Sequence, residues 1–328
     1  MTAPILVSAY PLSPAHAQWD PVLEAELLPA LCALPGVAGL EAPWMGGLHP
    51  HDDAWFLAHV PAVRLAVTPV PFVMRRVGED PRYGLASPDA EGRAAAVADL
   101  QRVAADVARL TAESPATVAV VTLHTAPRET GSAAALTRSL GELATLDWSG
   151  AVLAIEHCDA FVPGQQPEKG FLPLDAEIAA IRDAQVPVGL WLNWGRSAIE
   201  LRDAEAVTAQ IADAAGSGLL TGLAFSGAAA AATPYGPPWI DAHLPIAEAH
   251  PESQSLLDAA RVADALAAAG PVPWLGLKAA RRPDDRTVAE VLRTAARNLD
   301  LVRAATAETP SPLPAPRDQN RVPRGSPL

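Results

Sequence analysis

The chain has 328 residues, a length that suits one large α/β barrel or two ordinary domains. Half of it is hydrophobic, enough for a sizeable core, yet no apolar run reaches the roughly 18 residues that a membrane span needs. A net charge of −13 and a pI near 5.0 argue against nucleic acid as a partner, because phosphate backbones call for a basic surface.

Apolar β-type runs alternate with longer amphipathic stretches in eight rounds. Strands are expected at 4–10, 37–43, 63–70, 117–125, 151–159, 187–193, 218–226 and 274–278. Helices are expected at 20–34, 52–59, 89–112, 133–146, 174–184, 204–215, 253–269 and 287–307. The opening residues, MTAPILVSAY, lack a basic leader and read as the first strand, so a cytoplasmic protein is expected. Runs such as TVAVV and AVLAI are continuously apolar, as parallel strands buried on both faces should be. No glycine-rich phosphate fingerprint follows the first strand, which favours a closed (β/α)₈ barrel over a doubly wound sheet. A single barrel over 1–307 is therefore expected, with 308–328, rich in Pro, Arg and Ser, as a disordered tail. The linker 227–254 follows strand seven and should cover the barrel mouth. Cys32 and Cys158 form no disulfide framework.

In this fold the working groups come from the C-terminal ends of the strands and the loops after them. Strand two ends GLEAPW, placing Glu41 and Trp44, and strand four ends VVTLHTAP, placing His124. Strand five ends AIEHCDA, placing Glu156; if Glu156 points into the barrel, alternation turns Ala154 and Cys158 inward too, while His157 faces the helices or curls over the rim. Strand six ends LWLNWGR, placing Asn193, Trp194 and Arg196, and the long linker carries Trp239, Asp241 and His243. Strand eight ends on Lys278, one of two lysines in a chain that otherwise uses Arg; the other, Lys169, reads as part of a polar loop. A retained lysine beside a buried carboxylate suggests a need for a compact ammonium, to pair with Glu156, bind substrate or do acid–base work. Trp44, Trp194 and Trp239 are read either as stacking walls for a sugar ring or as caps on the core. His49 and His51 in HPHDD have the look of metal ligands, but the aspartates that follow read as a helix cap.

The order of elements, with GLEAPW, VVTLHTAP, AIEHCDA and WIDAHLPI at their places, resembles the xylose-isomerase-like barrels of sugar isomerases, epimerases and endonuclease IV over about residues 4–307. More narrowly, it resembles a bacterial branch defined only as a domain of unknown function. Carried over position by position, the resemblance implies Glu41, His124, Glu156, Asp241 and His243 as site residues. It departs where the metal-dependent members have Asp-x-x-His after strand six, since Asn193 and Arg196 stand there. It departs again on strand seven, which reads GLAFSG without a histidine, and on strand eight, where Lys278 replaces a glutamate. Cations where a cation would bind argue for a site without a divalent metal; were one held, His124, Glu156, Asp241 and His243 would be its ligands.

The expected function is isomerisation or epimerisation of a small sugar or sugar acid by a proton transfer beside a carbonyl. Glu156 would be the base and His124 or Lys278 the acid or anion-stabilising partner. Glu41, Trp44, Asn193, Trp194, Arg196, Trp239, Asp241 and His243 would bind substrate. Two rival readings are a metal-independent glycoside or lactone hydrolase and a barrel that binds a sugar without turning it over. The resemblance also suggests a homodimer, although no segment marks an interface.

Overall fold

The computed structural model describes residues 3–308, so the expected tail lies outside the described residues save for its first residue. Eight parallel strands close into a barrel in sequence order: β1 Ile5–Ser8, β2 Val37–Pro43, β3 Arg64–Thr68, β4 Thr117–Leu123, β5 Val152–Glu156, β6 Val188–Asn193, β7 Leu220–Phe225 and β8 Trp274–Leu277. Every neighbouring pair is parallel, and β1 closes the ring on β8. The helices are α1 Pro14–Ala17, α2 Pro21–Cys32, α3 Asp53–His59, α4 Val70–Glu79, α5 Ala90–Glu113, α6 Ala133–Leu143, α7 Leu174–Ala184, α8 Trp194–Leu201, α9 Ala206–Gly216, α10 Ala259–Ala269 and α11 Val288–Glu308. Among the described residues no helix is long and apolar enough to cross a membrane.

Local chemistry accounts for the helix starts. Asp20, Asp52, Asp89 and Ser132 each accept a backbone N–H of the first turn, satisfying donors that a helix leaves open. Asp52 is thus a cap, and the Nδ1 of His49 accepts the backbone N–H of His51 and of Asp52 at 3.3 and 3.1 Å. The HPHDD histidines therefore build a turn, not a metal centre. Three helices, α1, α4 and α8, are additional to the expected ones, and one expected helix starts late. α4 is a helix where no helix was expected, because its prolines fall at the start of the first turn, where a missing N–H costs nothing. α8 follows β6 with no intervening loop. The expected helix 253–269 begins only at Ala259, after a short 3₁₀ turn at Pro251–Ser253.

Alternation along the strands sorts the core into two layers. Leu, Val and Ile side chains facing the helices make a large outer cluster. Leu6, Ala66, Val120, Ala154, Trp191 and Ala224 fill the barrel itself. Trp191 fits because its neighbours are small: a Cβ on Gly222 would lie 2.1 Å from the indole. One step further along each strand the inward positions turn polar, at Ser8, Glu41, Thr68, Thr122, Glu156, Asn193 and Lys278. That polar layer is the floor of the mouth.

Candidate functional site at the barrel mouth

Six acidic and basic side chains, from three strand ends, one helix and two loops, form one alternating chain across the mouth. Glu41 at the end of β2 pairs with Lys278 at 2.7 Å, and Lys278, just past β8, pairs with Glu156 at 3.0 Å. Glu156 ends β5 and is met by Arg196 at 2.8 Å; Arg196 reaches on to Asp241 at 3.0 Å, and Asp241 to Lys169 at 2.7 Å. Three acids and three bases thus alternate, so each charge is compensated although Glu156, Arg196 and Lys278 are no more than 1% exposed.

The backbone explains how Arg196 gets there. Asn193 ends β6 and at once caps α8, its Oδ1 accepting the backbone N–H of Gly195 at 3.1 Å. Gly195 lets the helix start close against β7, since a Cβ there would lie 2.5 Å from the Ser226 carbonyl oxygen. Arg196 is then delivered one turn above the floor, pointing back over Glu156. Its Nη1 also donates to the Cys158 sulfur at 3.4 Å, while Nη2 has no hydrogen-bond partner.

Neutral groups complete the site. Ser8 donates to Glu41, and Thr68 donates to Glu156 at 3.4 Å. His124 lies 3.2 Å from the second oxygen of Glu156 through Nε2. Burial pulls the His124 imidazole down to about 4, so it is neutral near pH 7. Burial would raise the Glu156 carboxyl, but Arg196, Lys278 and His124 together hold it well below the usual carboxylate range. An ionised Glu156 can only accept, so the His124 proton sits on Nε2 and its Nδ1 is a free lone pair. Asp241 is likewise held ionised, by Lys169, His243 and Arg196 against the effect of burial. Tyr10 closes the near side: its hydroxyl is 3.2 Å from His243 Nε2, and its ring lies 6.0 Å from the Lys278 ammonium.

Of the residues expected from sequence, Glu41, His124, Glu156, Asn193, Arg196, Asp241, His243 and Lys278 come together here. The tryptophans do not join them. Trp44 faces the helices, 4.6 Å from Phe72 and hydrogen-bonded to Asp106 at 2.7 Å. Trp194 is fully buried in the outer cluster between sheet and helices. Trp239 lies on the rim beneath the Arg202 guanidinium, 4.8 Å away. His157 faces the helices, as alternation requires, and is clamped between Glu177 at 2.8 Å and Glu200 at 2.9 Å. Burial lowers that imidazole, but the two carboxylates outweigh it and push it up to about 10.

Ser8, Tyr10, Thr68 and Lys169 were not singled out as site residues in the sequence. Lys169 corrects an expectation outright: its loop folds over the mouth, and its side chain is buried against Asp241. Ser8 and Tyr10 carried a usable signal, since they end the first strand. Lys169 stands 13 residues beyond β5 and carried none.

The fold family implies a divalent ion at this place, and the donors do not fit one. Glu156 and Asp241 are held apart by Arg196, which binds both. Among the described residues no three His, Cys, Asp or Glu side chains gather as a metal would need. An ion set beside Glu156 would face both an ammonium and a guanidinium. The mouth is also shut. Glu41, His124, Glu156, Arg196 and Lys278 are all buried, and the cavity of about 30 Å³ that touches Tyr10 and Glu41 runs behind β2 among Leu28, Leu40 and Phe56, not into the mouth. A hollow of about 480 Å³ beside Phe72, Arg75 and Arg102 lies outside the barrel wall, away from these charges.

Residues 6–294 match the family model described as Domain of unknown function (DUF4862). The chain is 36% identical over 281 residues to a protein of Salmonella typhimurium (strain LT2) named Uncharacterized protein STM3670, covering 83% of this chain and 88% of that one. Among solved structures it is similar to L-ribulose 3-epimerase, with a TM-score of 0.60 and 17% identity over 93% of this chain and 96% of that one. It is similar also to the IolI protein with a bound zinc atom, with a TM-score of 0.58 and 14% identity over 93% and 99% of the two chains. D-psicose 3-epimerase in the presence of D-fructose gives a TM-score of 0.55 and 14% identity over 93% and 99%. At such identities these structures speak for the fold alone. The chain therefore belongs to the DUF4862 family, and it folds as a xylose-isomerase-like (β/α)₈ barrel.

Proposed function

We propose that the protein is an isomerase or epimerase of a small sugar or sugar acid that moves a proton beside a carbonyl, with organic cations in place of a divalent ion. The observation that carries this reading is Glu156, ionised and gripped by Lys278, Arg196 and His124 at the end of the barrel where this fold builds its catalytic sites. Two relatives in fold are named as sugar 3-epimerases, which supports the reaction class.

In the resting site Glu156 is a weak base, because three partners stabilise its charge. A substrate carbonyl or hydroxyl that takes Lys278 or Arg196 for itself removes part of that stabilisation and raises the basicity of Glu156. Glu156 then takes the proton from the carbon next to the carbonyl, and the electron pair moves to the carbonyl oxygen. Lys278, held protonated by Glu156 and Glu41 despite burial, faces that oxygen as a fixed positive charge. Delivery of a proton to the other face of the same carbon by a second acid, for which the Lys278 ammonium is the candidate, epimerises; return of the proton by Glu156 to the former carbonyl carbon, as the enediol hydroxyl proton passes to the other oxygen, isomerises. His124, neutral and donating from Nε2, orients the carboxylate.

Glycoside hydrolysis fits less well. It asks for one protonated carboxyl beside an ionised one, and Glu156 is held ionised and bridged to Glu41 by Lys278.

The test is incubation with a panel of aldoses, ketoses and their acids in D₂O with a chelator present, followed by NMR. Deuterium should enter at the carbon beside the carbonyl, and Glu156→Gln should slow it at least about 100-fold. No exchange and no conversion, with or without added divalent metals, would overturn the reading, as would unchanged turnover by Glu156→Gln.

A further inference from the structure

Asp241 does not come from the barrel. It sits on an excursion from β7 whose base is pinned by paired backbone hydrogen bonds between Gly227 and Leu244, at 2.8 and 3.1 Å. Trp239 and His243 on either side of it hold the left-handed conformation, with φ of +60° and +55°. The excursion is thus a compact loop with joined ends that inserts one carboxylate into the mouth. The receiving groups are built and buried: Lys169 Nζ at 2.7 Å and Arg196 Nε at 3.0 Å on one oxygen, His243 Nδ1 at 3.0 Å on the other. Arg196 Nη2, on the same guanidinium that binds Asp241, is a buried donor with no hydrogen-bond partner.

We infer that this is a receptor for a substrate carboxylate, filled in the closed molecule by the chain's own Asp241. This rests on the proposed function and sharpens it: the substrate is a sugar acid and not a neutral sugar. The charge balance carries the choice. When the excursion lifts, Asp241 leaves with it, and among the ion-paired groups Lys169, Arg196 and Lys278 remain against Glu41 and Glu156. Asp159 also lies in the field of Lys169 but makes no ion pair with it, its Oδ2 accepting the backbone N–H groups of Glu168, Lys169 and Gly170 instead. A neutral ligand would leave one buried cation without its partner; a carboxylate restores the pairing, with Arg196 Nη2 free to take its second oxygen.

The experiment measures binding of D-glucuronate, D-galacturonate and D-gluconate, each against its neutral counterpart, to the wild type, Asp241→Asn and Lys169→Met by calorimetry. Removing the internal competitor should tighten acid binding at least tenfold in Asp241→Asn. Removing a receptor cation should weaken it at least tenfold in Lys169→Met, although both changes break the same ion pair. Neutral sugars respond only to the easier opening, so they should shift in the same direction in both variants and by less than the acids. If both variants shift acid binding in the same direction, Asp241 is a latch only and the inference falls. Should either variant fail to fold, the wild-type contrast decides alone: neutral sugars binding as well as their acids, or no acid binding at all, overturns the inference. Deuterium exchange on neutral sugars alongside that result would leave the proposed function standing, whereas no exchange on any substrate would remove both.

Discussion

Lys278 offers the sharpest test of the charge chain, because one ammonium serves two carboxylates. At an effective dielectric of about 20, pairs at 2.7 and 3.0 Å are each worth roughly 5–6 kcal/mol of attraction. Desolvation of each ion takes back several kcal/mol, so the net gain of the arrangement is small. Breaking it is another matter. Lys278→Met fills the space but leaves Glu41 with only Ser8 as a partner, and it should cost about 3–5 kcal/mol. Glu156 is spared the worst because Arg196 and His124 remain on it. Glu41→Gln in the Lys278→Met background should then recover about 2 kcal/mol, as the stranded charge is removed. Urea unfolding of the wild type, both single variants and the double variant measures the coupling directly. The buried geometry adds a second condition, that the coupling barely changes between low and high salt. Additive effects within about 0.5 kcal/mol, or a Lys278→Met cost under about 1 kcal/mol, would refute the reasoning.

Two further outcomes follow from the packing around the mouth. The folded His157 titrates near 10 against 6.5 for an ordinary histidine, so its stabilisation is full below about pH 6.5 and is lost as pH rises through 10. The stability advantage of the wild type over His157→Gln should therefore shrink by about 1 kcal/mol per pH unit between about pH 7 and 10, measured by urea midpoints; a constant gap would mean the imidazole is not charged. Gly222→Ala should destabilise the barrel by about 1–3 kcal/mol, because its Cβ would meet Trp191 at 2.1 Å, and Trp191→Leu should relieve much of that cost in the double variant.

The barrel was legible because its strands are apolar on both faces and separated by amphipathic helices, a pattern that few other architectures share. The charged groups of the site were legible from one rule, that strand ends face the mouth. The same alternation also held information that was read less fully. If Glu41 points inward, Trp44 three residues later points outward, and Asn193 inward makes Trp194 face the helices. The indoles looked like sugar platforms only while their parity was ignored. Trp239 and Lys169 are different. Their positions depend on how two long loops cross the rim, set by contacts such as Arg202 against Trp239 and Lys169 against Asp241. No local pattern encodes a contact between loops 72 residues apart.

The energetics also bear on why the charges are there. A buried network of this kind is a poor way to gain stability, since well-packed apolar side chains of similar volume generally do as well or better. The barrel shows that it can do so: one layer below the mouth, Leu6, Ala66, Val120, Ala154, Trp191 and Ala224 fill the same cross-section, with the Trp191 indole nitrogen as their one side-chain polar atom. Only the layer at the strand ends turns ionic, and it draws its six members from six elements that share no local sequence. Stability would not demand that Glu41, Glu156 and Lys278 change character at the same height along the barrel axis, nor that Arg196, Asp241 and Lys169 be brought to them from a helix and two loops. A site where a substrate exchanges partners with fixed charges would, because each charge must lie within reach of the same few atoms. On the function proposed above, the closed state is the resting arrangement, and Asp241 and Tyr10 stand where substrate oxygens would go.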